Sequence, residues 1–344
     1  MIRITPPSNF KLINTCLIFL ICTACTSIDS VTSVKLDVPD HFPQPVDSPK
    51  RNSLSQEGID LGGKLFFDSN LSSNGKVSCS SCHIPNLSFT DGRKLGATGA
   101  SKELLKRNSP ALINLAWMNS FFWDGGVKNL ESLPFAALTN PDEMGANLND
   151  IVEYLNSNIE YKKEFKTAFG IEAVSSAYVA RALAQFQRTL ISANSKYDQV
   201  QKGEMHFTKQ ELDGQKIFQF KCASCHTPPL FTDNSFHNNG LDATFTNANE
   251  DVRAGRYRIT LDTADLGKFK TPTLRNLKYT APYMHDGRYS NLNEVINHYQ
   301  NEIIKSETLD ARLIDLKLDK NEIQPLLTFL STLNDEKFAK KYSE

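Results

Sequence analysis

Two copies of the pattern Cys-x-x-Cys-His constrain this 344-residue chain more than any other feature. They are Cys79-Ser-Ser-Cys82-His83 and Cys222-Ala-Ser-Cys225-His226. In c-type haem attachment, the two thiols form thioethers with the haem vinyl groups and the adjacent histidine reaches the iron. Of the seven cysteines in the chain, the other three lie within the first 25 residues. The sequence therefore predicts two covalently bound haem c groups.

Other uses of paired cysteines fit this spacing poorly. A zinc site made of two C-x-x-C pairs needs about 15–20 residues between the pairs, whereas Cys79 and Cys222 are 143 positions apart. A thioredoxin-like dithiol needs a βαβ setting, which the sequence does not indicate. Seven cysteines in a chain of this length are also too few for a disulfide-dense scaffold.

Composition narrows the class of protein further. Hydrophobic residues make up 40% of the chain, which excludes a wholly disordered protein. The formal net charge of −1 gives no electrostatic signature of nucleic-acid binding. The length suggests about two domains.

The N-terminus is typical of an export signal. A basic start precedes a short apolar run over 12–24, and Cys25 follows. The tetrapeptide Cys22-Thr-Ala-Cys25 is similar to a bacterial lipobox, although cysteine stands where leucine is usual, and ordinary signal cleavage is the alternative. We expect a signal peptide over 1–24, a linker over 25–52 and a periplasmic protein, with a lipid anchor at Cys25 if the lipobox is used.

The rest of the chain contains an internal repeat. Pro110-Ala-Leu-Ile-Asn114-Leu recurs 162 positions later as Pro272-Thr-Leu-Arg-Asn276-Leu, and the residues after the first haem motif recur after the second. Apolar residues follow helical spacing, and strand alternation is scarce. We predict a mainly α fold of two tandem, duplicated cytochrome c-like haem domains, over 53–200 and 205–340, with long loops around the haems.

Dense sequence blocks surround both motifs. In the first half they are Leu61-Gly-Gly-Lys-Leu-Phe-Phe-Asp68, Phe89-Thr-Asp-Gly92, Arg107-Asn-Ser-Pro110, Phe122-Trp-Asp-Gly125 and Asn140-Pro-Asp-Glu-Met144. In the second half they are Phe269-Lys-Thr-Pro-Thr-Leu-Arg-Asn276 and Thr280-Ala-Pro-Tyr-Met-His-Asp-Gly287. With these blocks, the chain resembles the bacterial di-haem cytochrome c peroxidase family, including its MauG-like branch.

The resemblance implies a division of labour between the halves. The N-terminal haem would bind peroxide and the C-terminal haem would relay electrons, with His83 and His226 as the proximal ligands. Glu143 matches the family's distal acid, and Trp123 matches the tryptophan that lies between the haems. The family's calcium site, which uses amide and carbonyl oxygens, matches Asn108, Thr280 and Pro282.

Three positions depart from many members of the family. A distal histidine that ligates the resting first haem is missing, because no histidine occurs between Ile84 and Asn108. Leu133 stands at the usual distal glutamine, and Gly126 at the usual arginine. We therefore expect a first haem that is five-coordinate or water-bound, in a less polar pocket than usual.

The sixth ligand of the second haem also differs from that of classical members, which use a methionine. Tyr299 stands at the matching position, as in MauG-like proteins, and Met284 is the competing candidate. A phenolate ligand favours oxidised iron, whereas a thioether raises the haem potential. Two further histidines, His41 and His206, are expected to be ordinary surface residues.

These features favour a peroxidase that reduces hydrogen peroxide to water with electrons from a small redox protein, a cytochrome c or a cupredoxin. One alternative is a MauG-like enzyme that oxidises side chains of a partner protein. Another is a di-haem electron carrier without catalytic activity.

Overall fold

The computed structural model describes residues 31–46, 50–93, 98–245 and 252–342. The predicted signal peptide over 1–24, the lipobox and Cys25 lie outside these residues. The described part is mainly helical, as the sequence predicts. Within it, no helix combines the length and the apolar character needed to cross a bilayer.

The secondary structure consists of helices joined by long loops and one two-stranded sheet. The helices are α1 (Gln56–Phe67), α2 (Cys79–Cys82), α3 (Leu133–Thr139), α4 (Leu148–Ser157), α5 (Ile159–Phe169), α6 (Ser176–Arg188), α7 (Lys196–Gln201), α8 (Lys209–Lys221), α9 (Tyr257–Thr260), α10 (Leu292–Asn297), α11 (Lys320–Ser331) and α12 (Glu336–Lys341). Strands β1 (Phe236–His237) and β2 (Phe269–Lys270) pair antiparallel, with Phe236 opposite Lys270. A π-helical turn over His298–Glu302 follows α10.

Side-chain caps explain where the helices that lead to the haem motifs begin. Thr208 caps α8 and exchanges hydrogen bonds with Glu211, which confirms the capping box visible in the sequence. A similar box at Ser53 and Gln56 suggests an earlier start for α1, but Ser55 is the actual cap and accepts a hydrogen bond from the Gly58 amide. Each of these helices is followed in the chain by a Cys-x-x-Cys-His motif.

Each half contains a closely packed pair of helices that cross at a glycine. In the first half α1 packs on α6, and a Cβ at Gly62 would lie 2.0 Å from the Ala182 carbonyl oxygen. In the second half α8 packs on α11, and a Cβ at Gly214 would lie 2.0 Å from the Pro325 carbonyl oxygen. Each pair belongs to its own hydrophobic core. A methyl group at either glycine would force the helices of that pair apart.

Two segments lie where the sequence does not place them. Residues 31–46, part of the predicted linker, pack against the body, and Phe42 is buried beside Trp117. The C-terminal helix α12, expected with the second half, instead places Phe338 in the first core. Both placements depend on the burial of a few large apolar side chains. Neither the composition of a segment nor its order in the chain predicts where those side chains pack.

Candidate functional site

Both haem motifs line a cavity of about 950 Å³. Its wall combines residues of the two cores with loop residues from both halves. The predicted site residues found in the wall are Cys79, Cys82, His83, Asn108, Trp123, Leu133, Glu143, Cys222, Cys225, His226, Thr280, Pro282, Met284 and Tyr299. The fold therefore brings together residues that are more than 200 positions apart in the chain.

The first motif forms a single helical turn that ends at its histidine. Cys79 and Cys82 bound α2, and His83 follows as its C-cap. The His83 Nδ1 atom lies 2.7 Å from the Phe89 carbonyl oxygen, which leaves Nε2 available to a metal ion. Burial lowers the pKa of His83, so the ring stays neutral, as a metal ligand must.

The second motif repeats this arrangement at the end of α8. Cys222 is the C-cap of that helix, and His226 follows four residues later. The His226 Nδ1 atom lies 3.2 Å from the Phe231 carbonyl oxygen. Burial lowers the pKa of His226, as it does for the first histidine. In both motifs Nδ1 therefore faces a carbonyl oxygen of the loop that follows the histidine.

The state of the four thiols is compatible with covalent haem attachment. All four are free thiols rather than disulfides. Burial raises the pKa of Cys79 to about 12 and that of Cys222 to about 12, so neither is a reactive thiolate. Neutral thiols beside an oriented neutral imidazole, in the wall of a large and mostly apolar cavity, match what c-type haem needs.

Glu143 lies beside the first motif on a tightly packed loop. Its Oε1 accepts a hydrogen bond of 2.8 Å from the Asn140 amide, and its backbone oxygen accepts one of 2.6 Å from the Ala100 N–H. A Cβ at Gly99 would lie 1.7 Å from the Asp142 carbonyl oxygen, so only glycine allows this contact between loops. Burial raises the pKa of Glu143 above its usual value. The loop therefore holds a carboxyl group that keeps its proton to higher pH than an ordinary glutamate and can exchange it with a bound molecule.

Trp123 is tied to both halves of the chain. Its indole N–H donates to the Asn108 carbonyl oxygen at 2.7 Å, and its own carbonyl accepts from the Lys270 N–H at 2.8 Å. The Asn108 N–H in turn donates to the His285 carbonyl oxygen at 2.8 Å. The tryptophan ring is thereby fixed in the cavity wall shared by the two motifs.

Both candidates for the sixth ligand of the second haem lie close to the same side-chain amide, that of Asn239. The Asn239 side-chain amide lies 3.4 Å from the Tyr299 hydroxyl and 3.6 Å from the Met284 sulfur. Tyr299 is carried by the π-helical turn, a feature that is frequent at functional sites. Burial raises the pKa of Tyr299 to about 12, so its hydroxyl keeps its proton unless a metal ion displaces it.

The three predicted calcium ligands are only partly brought together. The Asn108 amide nitrogen lies 2.6 Å from the Pro282 carbonyl oxygen. The Asn108 Oδ1 atom is buried and has no hydrogen-bond partner. Thr280 lines the same cavity. An unpaired buried amide oxygen next to a carbonyl is compatible with a cation at this position.

Leu133 and Gly126, the two positions near the first motif that differ from the family pattern, have different surroundings. Leu133 is buried at the start of α3 and contributes apolar wall to the cavity. Gly126 is exposed, but arginines from elsewhere surround the adjacent turn: Arg107 pairs with the Asp124 carboxylate, and Arg256 donates to the Asp124 carbonyl at 2.9 Å. Sequence reasoning missed Arg256, and Asn239 beside Tyr299, because both lie in loops without periodic pattern.

The helical fold and the cavity with two haem motifs define a class of di-haem c-type proteins. A family model described as di-haem cytochrome c peroxidase matches residues 56–206. The chain is 38% identical over 301 residues to the methylamine utilization protein MauG of Methylorubrum extorquens, covering 86% of this chain and 84% of that protein. It belongs to the di-haem cytochrome c peroxidase family.

Further similarities extend across the family. The chain is 32% identical over 280 residues to the cytochrome c551 peroxidase of Nitrosomonas europaea, covering 80% of each protein. Among solved structures, a MauG-like protein associated with microbial copper homeostasis superposes with a TM-score of 0.82 at 32% identity, covering 89% of this chain and 97% of that one. Relatives with both peroxidase and MauG names are thus similar to this chain.

Proposed function

We propose that this protein is a di-haem peroxidase that reduces hydrogen peroxide to water. Each peroxide takes two electrons and two protons and gives two water molecules, and a small redox protein, a cytochrome c or a cupredoxin, supplies the electrons. The observation that carries the proposal is the half-buried Glu143 beside the first haem motif, where it lines the cavity and has a raised pKa. An electron carrier has no need of such a group.

In this proposal the chain duplicates a haem domain, and the halves divide the work. Cys79, Cys82 and His83 hold a peroxide-binding haem, and Cys222, Cys225 and His226 hold an electron-relay haem. When bound, the haem iron supplies the redox chemistry. The Glu143 carboxylate accepts the proton of one peroxide oxygen and returns it to the other, which assists heterolytic cleavage of the O–O bond. Asn140 keeps the carboxylate in place through its amide hydrogen bond.

Trp123 serves in this scheme as the contact between the two haem sites. Its hydrogen bonds to Asn108 and Lys270 hold the ring in the shared cavity wall. Calcium at Asn108, Thr280 and Pro282 would stabilise the same junction between the halves. Export to the periplasm, with Cys25 as an optional lipid anchor, places the protein where c-type haem is attached.

A second function, oxidation of side chains on a partner protein, is favoured by Tyr299. A tyrosine ligand at the second haem would make that haem a poorer acceptor from a high-potential donor. The apolar wall at Leu133 also makes the peroxide site less polar. This alternative keeps the same residue roles at the first haem and changes only the source of the electrons.

The deciding experiment measures peroxide consumption by the purified holoprotein with a reduced cytochrome c or cupredoxin. Sustained turnover coupled to oxidation of the donor supports the peroxidase. Consumption of a single peroxide equivalent without donor turnover supports the second function. A holoprotein that exchanges electrons with the donor but leaves peroxide intact contradicts both and identifies a carrier.

Replacing Tyr299 with phenylalanine tests the ligand assignment. The variant keeps the ring and its packing but removes the oxygen, so we expect a changed absorbance and EPR spectrum of the second haem and an unchanged first haem. Met284→Leu is the matched control and leaves both spectra unaltered. The reverse pattern, with a change in the methionine variant alone, would assign the ligand to Met284.

A further inference from the structure

The second haem motif is connected to a buried ion pair. Arg275 and Asp198 form a bidentate contact with N–O distances of 2.9 and 2.8 Å, and both side chains are fully buried. Burial alone would raise the pKa of Asp198, but the hydrogen bonds from Arg275 hold it below its usual value. The Asp198 carboxylate is therefore ionised, and because it is buried its oxygens need hydrogen-bond donors from the protein.

The N-terminal segment over 33–46, called the strap below, supplies one of these donors. The His41 Nε2 atom lies 2.7 Å from the Asp198 Oδ1 atom, and the His41 side chain is only 12% exposed. The next residue, Phe42, is buried with its ring 4.8 Å below the Arg275 guanidinium. The expectation that His41 is an ordinary surface residue is wrong, because Asp198 needs its hydrogen bond.

Backbone contacts hold the strap along the body. The Val34 N–H donates to the Leu54 carbonyl at 3.0 Å, and the Val46 N–H donates to the Ala116 carbonyl at 3.0 Å. Between them, the Trp117 indole donates to the Pro43 carbonyl at 2.7 Å. The strap is thus fixed on both sides of His41.

On its other side, Arg275 reaches the loop that orients the second histidine. Its Nε and Nη2 atoms donate to the Pro229 carbonyl at 2.9 and 2.6 Å. Its guanidinium also lies 5.6 Å from the centre of the Phe231 ring. The Phe231 carbonyl is the group that contacts His226 Nδ1. A continuous series of contacts therefore runs from the strap to His226.

The first half lacks this connection at the equivalent position. In the register of the repeat, Arg275 corresponds to Ile113, which is apolar and fully buried. Aromatic packing supports the loops of both motifs, since Phe89 lies 5.3 Å from Tyr342 and Phe231 lies 4.9 Å from Tyr197, ring to ring. The ion pair is therefore what distinguishes the second loop from the first. Changes at the strap should therefore reach the second histidine and spare the first.

We propose that the strap is part of the second haem site and that His41 is a positioning residue, which orients His226 through Asp198, Arg275 and the 229–231 loop. This inference rests on the proposed role of His226 as a haem ligand. Because the imidazole orientation and its hydrogen bond set the strength of the iron ligand, the strap tunes the second haem selectively.

The test compares His41→Leu, His41→Gln and the exposed control His206→Leu in holoprotein that retains two haems by mass. In the leucine variant we expect a shifted midpoint potential and EPR signal for the second haem only. Amide hydrogen exchange within 227–232, read at Leu230, Phe231 and Thr232 because Pro228 and Pro229 have no N–H, should become faster by about tenfold as the loop loosens. Glutamine can still donate to Asp198 and should restore both readouts toward the parent. The control should match the parent.

Equal shifts at both haems, or a less stable protein with an unchanged second haem and unchanged exchange in 227–232, would reduce the strap to general structural support and overturn the inference. Should the leucine variant fail to fold, Phe42→Leu perturbs the same contact with Arg275 and is judged by the same readouts. Neither readout depends on peroxide turnover, so failure of the proposed activity is distinguishable from failure of this inference.

Discussion

Replacing Glu143 with glutamine should lower the rate of peroxide consumption by about 10²–10⁴-fold, the usual contribution of a positioned acid–base group. Glutamine retains an oxygen that can accept the Asn140 amide, so the loop should keep its shape. What the variant loses is a site that takes up and releases a proton. Peroxide consumption under saturating reduced donor measures this loss directly.

The raised pKa of Glu143 also predicts the direction in which the rate of peroxide consumption changes with pH. The deprotonated carboxylate is the form that accepts a proton, and the pKa of Glu143 is raised by burial. The rate of the parent enzyme should therefore fall as pH decreases through a pKa above that of an ordinary glutamate, and the glutamine variant should lose this acid limb. Glu153 is exposed and lies outside the cavity wall, so Glu153→Gln is the matched control. Equal losses in both variants would argue against a specific role for Glu143.

Replacing Cys79 and Cys82 together with alanine should remove one haem from the protein. The intact mass should fall by one covalent haem, and the peroxide-reactive signal should disappear while the second haem remains attached. The paired variant Cys222→Ala with Cys225→Ala should lose the other haem and keep peroxide binding without electron relay.

Mass spectrometry of the intact protein separates these outcomes without any assumption about activity. Two haems retained in either double variant would show that thioether attachment is not the role of these cysteines. Loss of both haems from either variant would show instead that the halves do not load independently.

The sequence could predict the parts of the site that depend on short, contiguous patterns. The two haem motifs, the capping box at Thr208 and the loop that carries Glu143 are all local. The haem motifs and the capping box follow from side-chain chemistry within a few residues, whereas the role of Glu143 rests on the family resemblance. That these residues line one cavity depends on the tertiary fold and follows from no local pattern.

Contacts that depend on tertiary packing could not be predicted in this way. The strap lies in a stretch, 26–52, that is rich in serine, aspartate, proline and valine without periodicity and is therefore predicted to be a linker, yet Phe42 packs against the Arg275 guanidinium. Likewise, Phe338 joins the first core although it is near the end of the chain. Both outcomes depend on cavities that form only when distant segments meet.

The most direct test of the account is a titration of the resting ferric holoprotein with hydrogen peroxide, followed by EPR. Without a distal histidine between Ile84 and Asn108, the first haem should give a high-spin signal and the second a low-spin signal. One equivalent of peroxide should diminish both signals together, because the two sites share one cavity wall through Trp123. Two low-spin signals that persist after peroxide is added would contradict the account.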